Sequence, residues 1–222
     1  MPDPSPVFER HYKNYLARLA GLDFSAVGPA AGADVLGANG TPALSMAYFT
    51  SKYTITGQGI TGPAGNPAAY DVCAILSRYL IMASDRSKSS SPPVAGVGEW
   101  TNFRDLREAG PLTVYFRDNV EALICGDLAG NASRAALALA GLGGTVPDLG
   151  ARYDLMLEFR GLPHIPMLLL FNDAEEMFPA SCSVLFRSDV DSHLDAECIA
   201  MMGYRLAILV REAMKAGTAG GR

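Results

Sequence analysis

The sequence predicts an α+β fold, an antiparallel sheet centred on a C-terminal meander with helices packed on one face. Three observations carry this. Between Arg152 and Arg187, three strand patterns follow one another with only turn residues between them. Segments with apolar residues at helical spacing precede and follow this block. Hydrophobic residues make up 49% of the 222 positions and charged residues 18%, enough apolar material for one sizeable core.

Within the meander, Tyr153, Leu155, Leu157 and Phe159 alternate with Asp154, Met156, Glu158 and Arg160. A period of two is that of a half-buried strand. Met167 to Phe171 is wholly apolar, as a central strand requires, and Cys182, Val184 and Phe186 alternate with Ser183, Leu185 and Arg187. Gly161, Pro163 and Pro166, then Asn172, Asp173 and Pro179, mark the turns.

The chain reads as a single domain over 1–222, with loose ends at 1–6 and 217–222. Phe8, Tyr12, Tyr15, Leu16 and Leu19 recur at helical spacing, and Gly21 stops that helix. Gly28 to Pro42 is rich in Gly and Ala and reads as an irregular connection. Leu44–Phe49 and Lys52–Thr56 form two strands or one long bent strand, and Gln58–Asn66 reads as a loop. Asn66-Pro67 starts a helix with Val72, Ile75, Leu76, Tyr79, Leu80 and Ala83 on one face, ending before Ser84. Residues 84–98, rich in Ser and Pro, read as a flexible loop, or as a lid over a site formed with the next stretch. Pro111 starts a helix with Leu112, Tyr115, Phe116, Asn119, Val120, Leu123 and Ile124 on one face. Asn131 caps a short Ala/Leu helix ending near Gly143-Gly144. Ser192 caps the last helix, with Asp195 in its first turn and Ile199, Met202, Leu206, Leu209 and Val210 as its buried stripe.

Several function classes are excluded by composition. Net charge is −5 with a pI near 5.2, and no basic stripe is present to meet phosphates, so nucleic acid is not a partner. No apolar run reaches the length of a bilayer span, no basic amphipathic helix is evident, and MPDPSPVFERHYK has no signal-peptide core, so the membrane is not a partner either. Cys73, Cys125, Cys182 and Cys198 lack zinc or iron–sulfur spacing and sit in apolar segments, which fits a reduced, cytoplasmic protein. No Walker A loop, dinucleotide glycine fingerprint or nucleophile elbow is found, and no motif identifies a cofactor.

Three clusters are candidates for chemistry. Glu99, Trp100, Asn102, Arg104 and Asp105, with Phe103, combine aromatic area with a guanidinium fork, the makings of a small-ligand site; a packed corner with an ion pair is the competing reading. Asp173, Glu175 and Glu176 place three carboxylates between two strands, suited to a hard cation or simply to solvent. Asp191, His193 and Glu197, flanked by Asp189 and Asp195 and with His164 near if the strands pair as supposed, offer a metal seat or a general base. The competing reading is a helix N-terminus that attracts acids for its dipole.

Gly98-Glu99-Trp100-Thr101-Asn102-Phe103-Arg104-Asp105-Leu106 resembles the G-E-W-x-x-F-R-x-L core of an uncharacterised bacterial and archaeal domain family. Leu162-Pro163-His164-Ile165-Pro166 is similar to its L-P-x-x-P strand, and Asp173 to Ala180 with Val184-Leu185-Phe186 to its D-x-E-F-P-A … L-F segment. The family is catalogued as a domain of unknown function and belongs to anaerobes, and some members carry an added iron–sulfur module like that of corrinoid iron–sulfur proteins. The resemblance implies a setting in anaerobic one-carbon or corrinoid metabolism, with no reaction attached.

The expectation is therefore a noncatalytic accessory protein that binds an unidentified protein or small molecule, and a homodimer is allowed. The alternative is a metal-dependent enzyme using the His and carboxylate ligands near the C-terminal helix.

Overall fold

The computed structural model describes residues 6–37, 42–88 and 98–219. The fold is α+β, with two four-stranded antiparallel sheets, and the meander is the core of the second. Strands β6 (Leu155–Leu162), β7 (Ile165–Asn172) and β8 (Ser181–Arg187) pair in sequence, with Leu157 opposite Leu169 and Leu169 opposite Val184. Leu155, Leu157 and Phe159 are buried on β6 while Arg160 is exposed, the alternation expected of a strand with one covered face. β7 lies between β6 and β8 and is buried at nearly every position. A short strand, β5 (Trp100–Asn102), extends this sheet along the edge of β8, giving the order β5-β8-β7-β6.

The first sheet holds β1 (Asp34–Leu36), β2 (Ala43–Tyr48), β3 (Ser51–Thr56) and β4 (Gly59–Thr61) in that order. The Phe49 N–H donates to the Gly161 carbonyl at 2.9 Å, tying the β2–β3 turn to the far end of β6.

Helix α1 (Pro6–Ala20) and α2 (Phe24–Ala31) pack against α3 (Tyr70–Ser87), most of whose surface is buried. The next helical stretch begins as α4 (Thr113–Phe116), widens into a π turn (Arg117–Glu121) and continues as α5 (Ala122–Leu128). Then come α6 (Ala132–Ala140) and α7 (Ala196–Ala219). α7 contacts α3, α5 and α6, while α5 touches β8 and α6 touches β6. Ion pairs fasten α7 at three points: Asp195, just before it, with Arg78 at 2.5 Å, Arg205 with Asp71, and Arg211 with Asp127 at 2.9 Å.

Several boundaries differ from the sequence reading. The Gly/Ala stretch from Gly28 is no irregular connection: α2 crosses it, capped by the Asp23 carboxylate on the Ser25 N–H, and β1 follows. Gly28 and Pro29 conceal that helix. Yet a Cβ at Gly28 would lie 2.7 Å from Val35 Cγ2, so the glycine is what lets α2 sit close to β1. The 58–66 loop contains β4. α3 starts at Tyr70 rather than Asn66, because Pro67 is held in a bridge with Thr61, and it continues to Ser87. The Ser/Pro loop therefore loses 84–87 to helix, and its remainder falls mainly on 89–97, outside the described residues. The cap of α7 is Asp195, whose Oδ1 accepts from the Cys198 N–H at 2.9 Å; Ser192 belongs to a preceding 3-10 turn. The end named loose at 217 is helical to Ala219. No helix among the described residues is long and apolar enough to cross a membrane.

Candidate functional site

Where β5 ends, the chain turns through a 3-10 turn (Phe103–Asp105) that buries Phe103. Its ring stacks on Phe116 of α4, with centroids 4.2 Å apart and planes within 6°. Above this stack lies a cleft of about 380 Å³, lined by Asn102, Phe103 and Arg104 from the β5 side, Thr113, Phe116, Arg117 and Glu121 from the α4–α5 side, and Ser183 from β8. Arg117 and Glu121 are the two ends of the π turn. A π turn widens the helix locally and frequently marks a functional position.

The charges of the cleft are partly committed. Arg104 lies 3.8 Å from Asp105 and Arg117 is 2.7 Å from Asp118, with all four side chains largely in water. Such exposed pairs are weak and readily exchanged. Burial pushes the Glu121 carboxyl above its ordinary value, against the Val184 N–H that donates to it at 3.1 Å and the nearby Arg104 charge. A guanidinium fork beside a partly desolvated carboxyl can grip a ligand bearing both an acceptor and a donor.

A second polar cluster lies under the end of α3. His193 is 1% exposed, and neither ring nitrogen has a hydrogen-bond partner. Its Nε2 is 3.7 Å from Asp189 Oδ2, beyond hydrogen-bond reach, and its ring centroid is 5.6 Å from that of His164 in the β6–β7 turn. Arg86 donates from Nη1 to the Ser192 carbonyl at 2.6 Å, while its buried Nη2 has no partner. Burial, then the Arg86 charge, holds the His193 imidazole down to about 4, with Asp189 pulling the other way. His164 is lowered for the same two reasons.

A model of a domain of unknown function, DUF3786, matches residues 23–208. The chain belongs to the DUF3786 family. No curated protein and no solved structure matches it.

Of the candidates read from the DUF3786 sequence, Asn102 and Arg104 line the cleft together. Trp100 stands apart from it. Its ring carries the Arg187 guanidinium 3.9 Å above its centroid, and its buried Nε1 has no partner. Glu99 is exposed, with its carbonyl accepting from the Ser188 N–H, and Asp105 serves as the partner of Arg104. Asp173 is spent on backbone: its carboxylate accepts from the Gly130 and Ala174 N–H groups. Glu175 and Glu176 point to solvent, as does Glu197, and Asp191 accepts from the Arg107 N–H at 2.9 Å. Among the described residues no three His, Cys, Asp or Glu side chains are grouped to hold a metal ion. Asp191, His193 and Glu197 therefore do not join Asp173, Glu175 and Glu176, or one another, in a metal centre. Their proximity in sequence reflects a turn and a helix start, with each side chain aimed a different way.

The sequence reading passed over Thr113, Arg117, Glu121, Ser183 and Arg86. Arg117 and Glu121 stand four apart on an expected helix, which is a signal of a shared face. No residue pattern announced the π turn that opens the cleft between them. The sequence reading did place His164 near His193, and the strand pairing brings the two together.

Proposed function

We propose that this DUF3786 protein is a noncatalytic accessory protein that binds a small molecule, bearing an anionic group and a hydrogen-bond donor, in the cleft beside β5. One observation carries the reading: Arg104, Arg117 and Glu121 surround one opening over an aromatic floor. The guanidiniums supply planar donor forks for a carboxylate or phosphate, Glu121 accepts the ligand's donor, and Phe103 and Phe116 give a rigid apolar base. The volume suits a small ligand, within the roughly 300–1,000 Å³ of most such sites. We place the protein in the cytoplasm, where four unpaired cysteines are stable, and in anaerobic one-carbon or corrinoid metabolism on the strength of the motif resemblance.

The test is calorimetry against a panel of small amino-carboxylates, with Arg104→Ala and Arg117→Ala beside the parent. At least one member should bind, and each variant should weaken it about tenfold or more, the loss of one charge-assisted pair. Thermal midpoints should stay within about 2 °C, because both arginines are exposed and weakly paired. Absence of binding across the panel, or a variant that loses stability rather than affinity, overturns the reading.

A further inference from the structure

We propose that the polar cluster of Arg86, His164 and His193 is a second binding site, separate from the cleft, and that it takes a small oxyanion. The argument starts from unpaired buried groups. Arg86 Nη2 and both nitrogens of His193 are shielded from water and bonded to nothing. Buried polar atoms in folded proteins almost always have partners, so three such atoms in one neighbourhood call for an explanation. The groups belong together: Arg86 grips the carbonyl of Ser192, the residue before His193, and the two imidazoles are 5.6 Å apart.

The vacant hydrogen-bonding capacity consists mostly of donors. The guanidinium has only N–H groups to offer, and a neutral imidazole adds one donor and one acceptor until it takes up a proton. A water molecule would satisfy the geometry, and Asp189 already brings one negative charge to the cluster. An oxyanion satisfies the donors as well, its charge balanced by a proton taken up on an imidazole, and Arg is the side chain whose fork fits it. Charged and titratable groups reach this cluster from every side: Arg86 and the Tyr79 hydroxyl from α3, Arg160 from β6, His164 from the β6–β7 turn and Asp189 from the turn after β8. Tyr79 is committed, accepting from the His164 N–H and donating to the Ala31 carbonyl. Asp189 is the carboxylate facing His193, so the anion belongs on the Arg86 and His164 side, where His164 is only partly buried and leads to the surface.

Charge linkage gives the site a signature that the cleft lacks. Without an anion beside them, burial and Arg86 keep the imidazoles neutral. An anion beside them favours their protonated forms, so binding takes up a proton and tightens as pH falls, by up to about tenfold per pH unit while one histidine is linked.

Inorganic sulfate is the probe, since it does not itself titrate near neutrality. Calorimetry on the full chain at pH 7.5, 6.5 and 5.5, in two buffers of different ionisation enthalpy, should show tightening with acid and net proton uptake. Arg86→Gln should weaken sulfate at least tenfold. On the parent protein, whose three histidines make assignment simple, sulfate should raise the imidazole titration midpoints of His164 and His193 seen by NMR. Three outcomes would overturn the proposal: no sulfate binding at pH 5.5, histidine titrations that sulfate leaves in place, or binding that survives Arg86→Gln and vanishes in Arg104→Ala. The last would put the anion in the cleft. If Arg86→Gln does not fold, the NMR titration of the parent decides.

Discussion

His193 should make the fold acid-sensitive in a pH range where carboxylates are still ionised. In the unfolded chain its imidazole takes a proton near the ordinary 6.5; in the folded chain burial and Arg86 delay that to about 4. Above pH 6.5 the ring is neutral in both states and stability is complete. As pH falls through the interval, the unfolded state gains a proton that the folded state refuses, and stability drops with it. At about 1.36 kcal/mol per pH unit the loss is about 2 kcal/mol by pH 5 and about 3 kcal/mol below pH 4, where both states are protonated. The assay is urea unfolding between pH 7.5 and pH 5, in buffers free of sulfate and phosphate, for the parent and for His193→Asn. His164 is lowered too and contributes in the same direction, so the decisive quantity is the difference between the two slopes. The parent should lose about 2 kcal/mol more than the variant over this range. Parallel stability curves would refute the reasoning, since they would mean that His193 meets the proton equally well folded and unfolded.

Two more predictions concern packing. Gly203→Ala should lower stability by about 1–2 kcal/mol, because the new Cβ would sit 2.5 Å from Phe116 Cε2 and the ring is pinned against Phe103. That overpacking outweighs the roughly 1 kcal/mol of added helix propensity, and a raised urea midpoint would contradict it. Tyr79→Phe should cost about 1–3 kcal/mol by stranding the Ala31 carbonyl and the His164 N–H; a change under about 0.5 kcal/mol in the same assay would show that water replaces the hydroxyl.

The parts of the fold legible in the sequence were those where one force dominates locally. The meander was readable because alternation and turn residues both follow from a sheet with one covered face, as Leu155, Leu157 and Phe159 show. The stripe of α7 was readable for the same reason, with Ile199, Met202, Leu206 and Val210 buried at helical spacing. α2 was hidden because Gly28 and Pro29 are poor helix formers, and the contact with β1 that justifies Gly28 is tertiary. The β5 side of the cleft was legible, as Asn102, Phe103 and Arg104. The rest depends on a π turn and on the pairing of β5 with β8, which sets Ser183 beside residues far away in sequence. The acidic clusters misled for a related reason. Sequence proximity is not convergence: Asp173 went to the Gly130 and Ala174 N–H groups and Asp191 to that of Arg107.

The structure also gives a physical reason for several residues of the Gly98-Glu99-Trp100-Thr101-Asn102-Phe103-Arg104 segment. Gly98 must be small, since a Cβ there would lie 2.8 Å from the Ser188 backbone N. That closeness lets the Arg187 guanidinium donate to the Gly98 carbonyl at 3.1 Å while lying over the ring of its strand partner, Trp100. The aromatic platform and the carbonyl hold the first residues of β5 beside Ser188 and Asp189, the carboxylate that faces His193. Three residues on, Phe103 anchors the other end by stacking on Phe116, and that anchor delivers Arg104 to the cleft. The strand is thus clamped at both ends, by Gly98, Arg187 and Trp100 at one and by Phe103, the floor of the cleft, at the other. Arg104 is the residue that packing does not require, since its side chain is 69% exposed and its partner Asp105 is 53% exposed. Its ion pair, solvated on both sides, contributes little to stability, so Arg104→Ala separates the proposed binding role from a structural one.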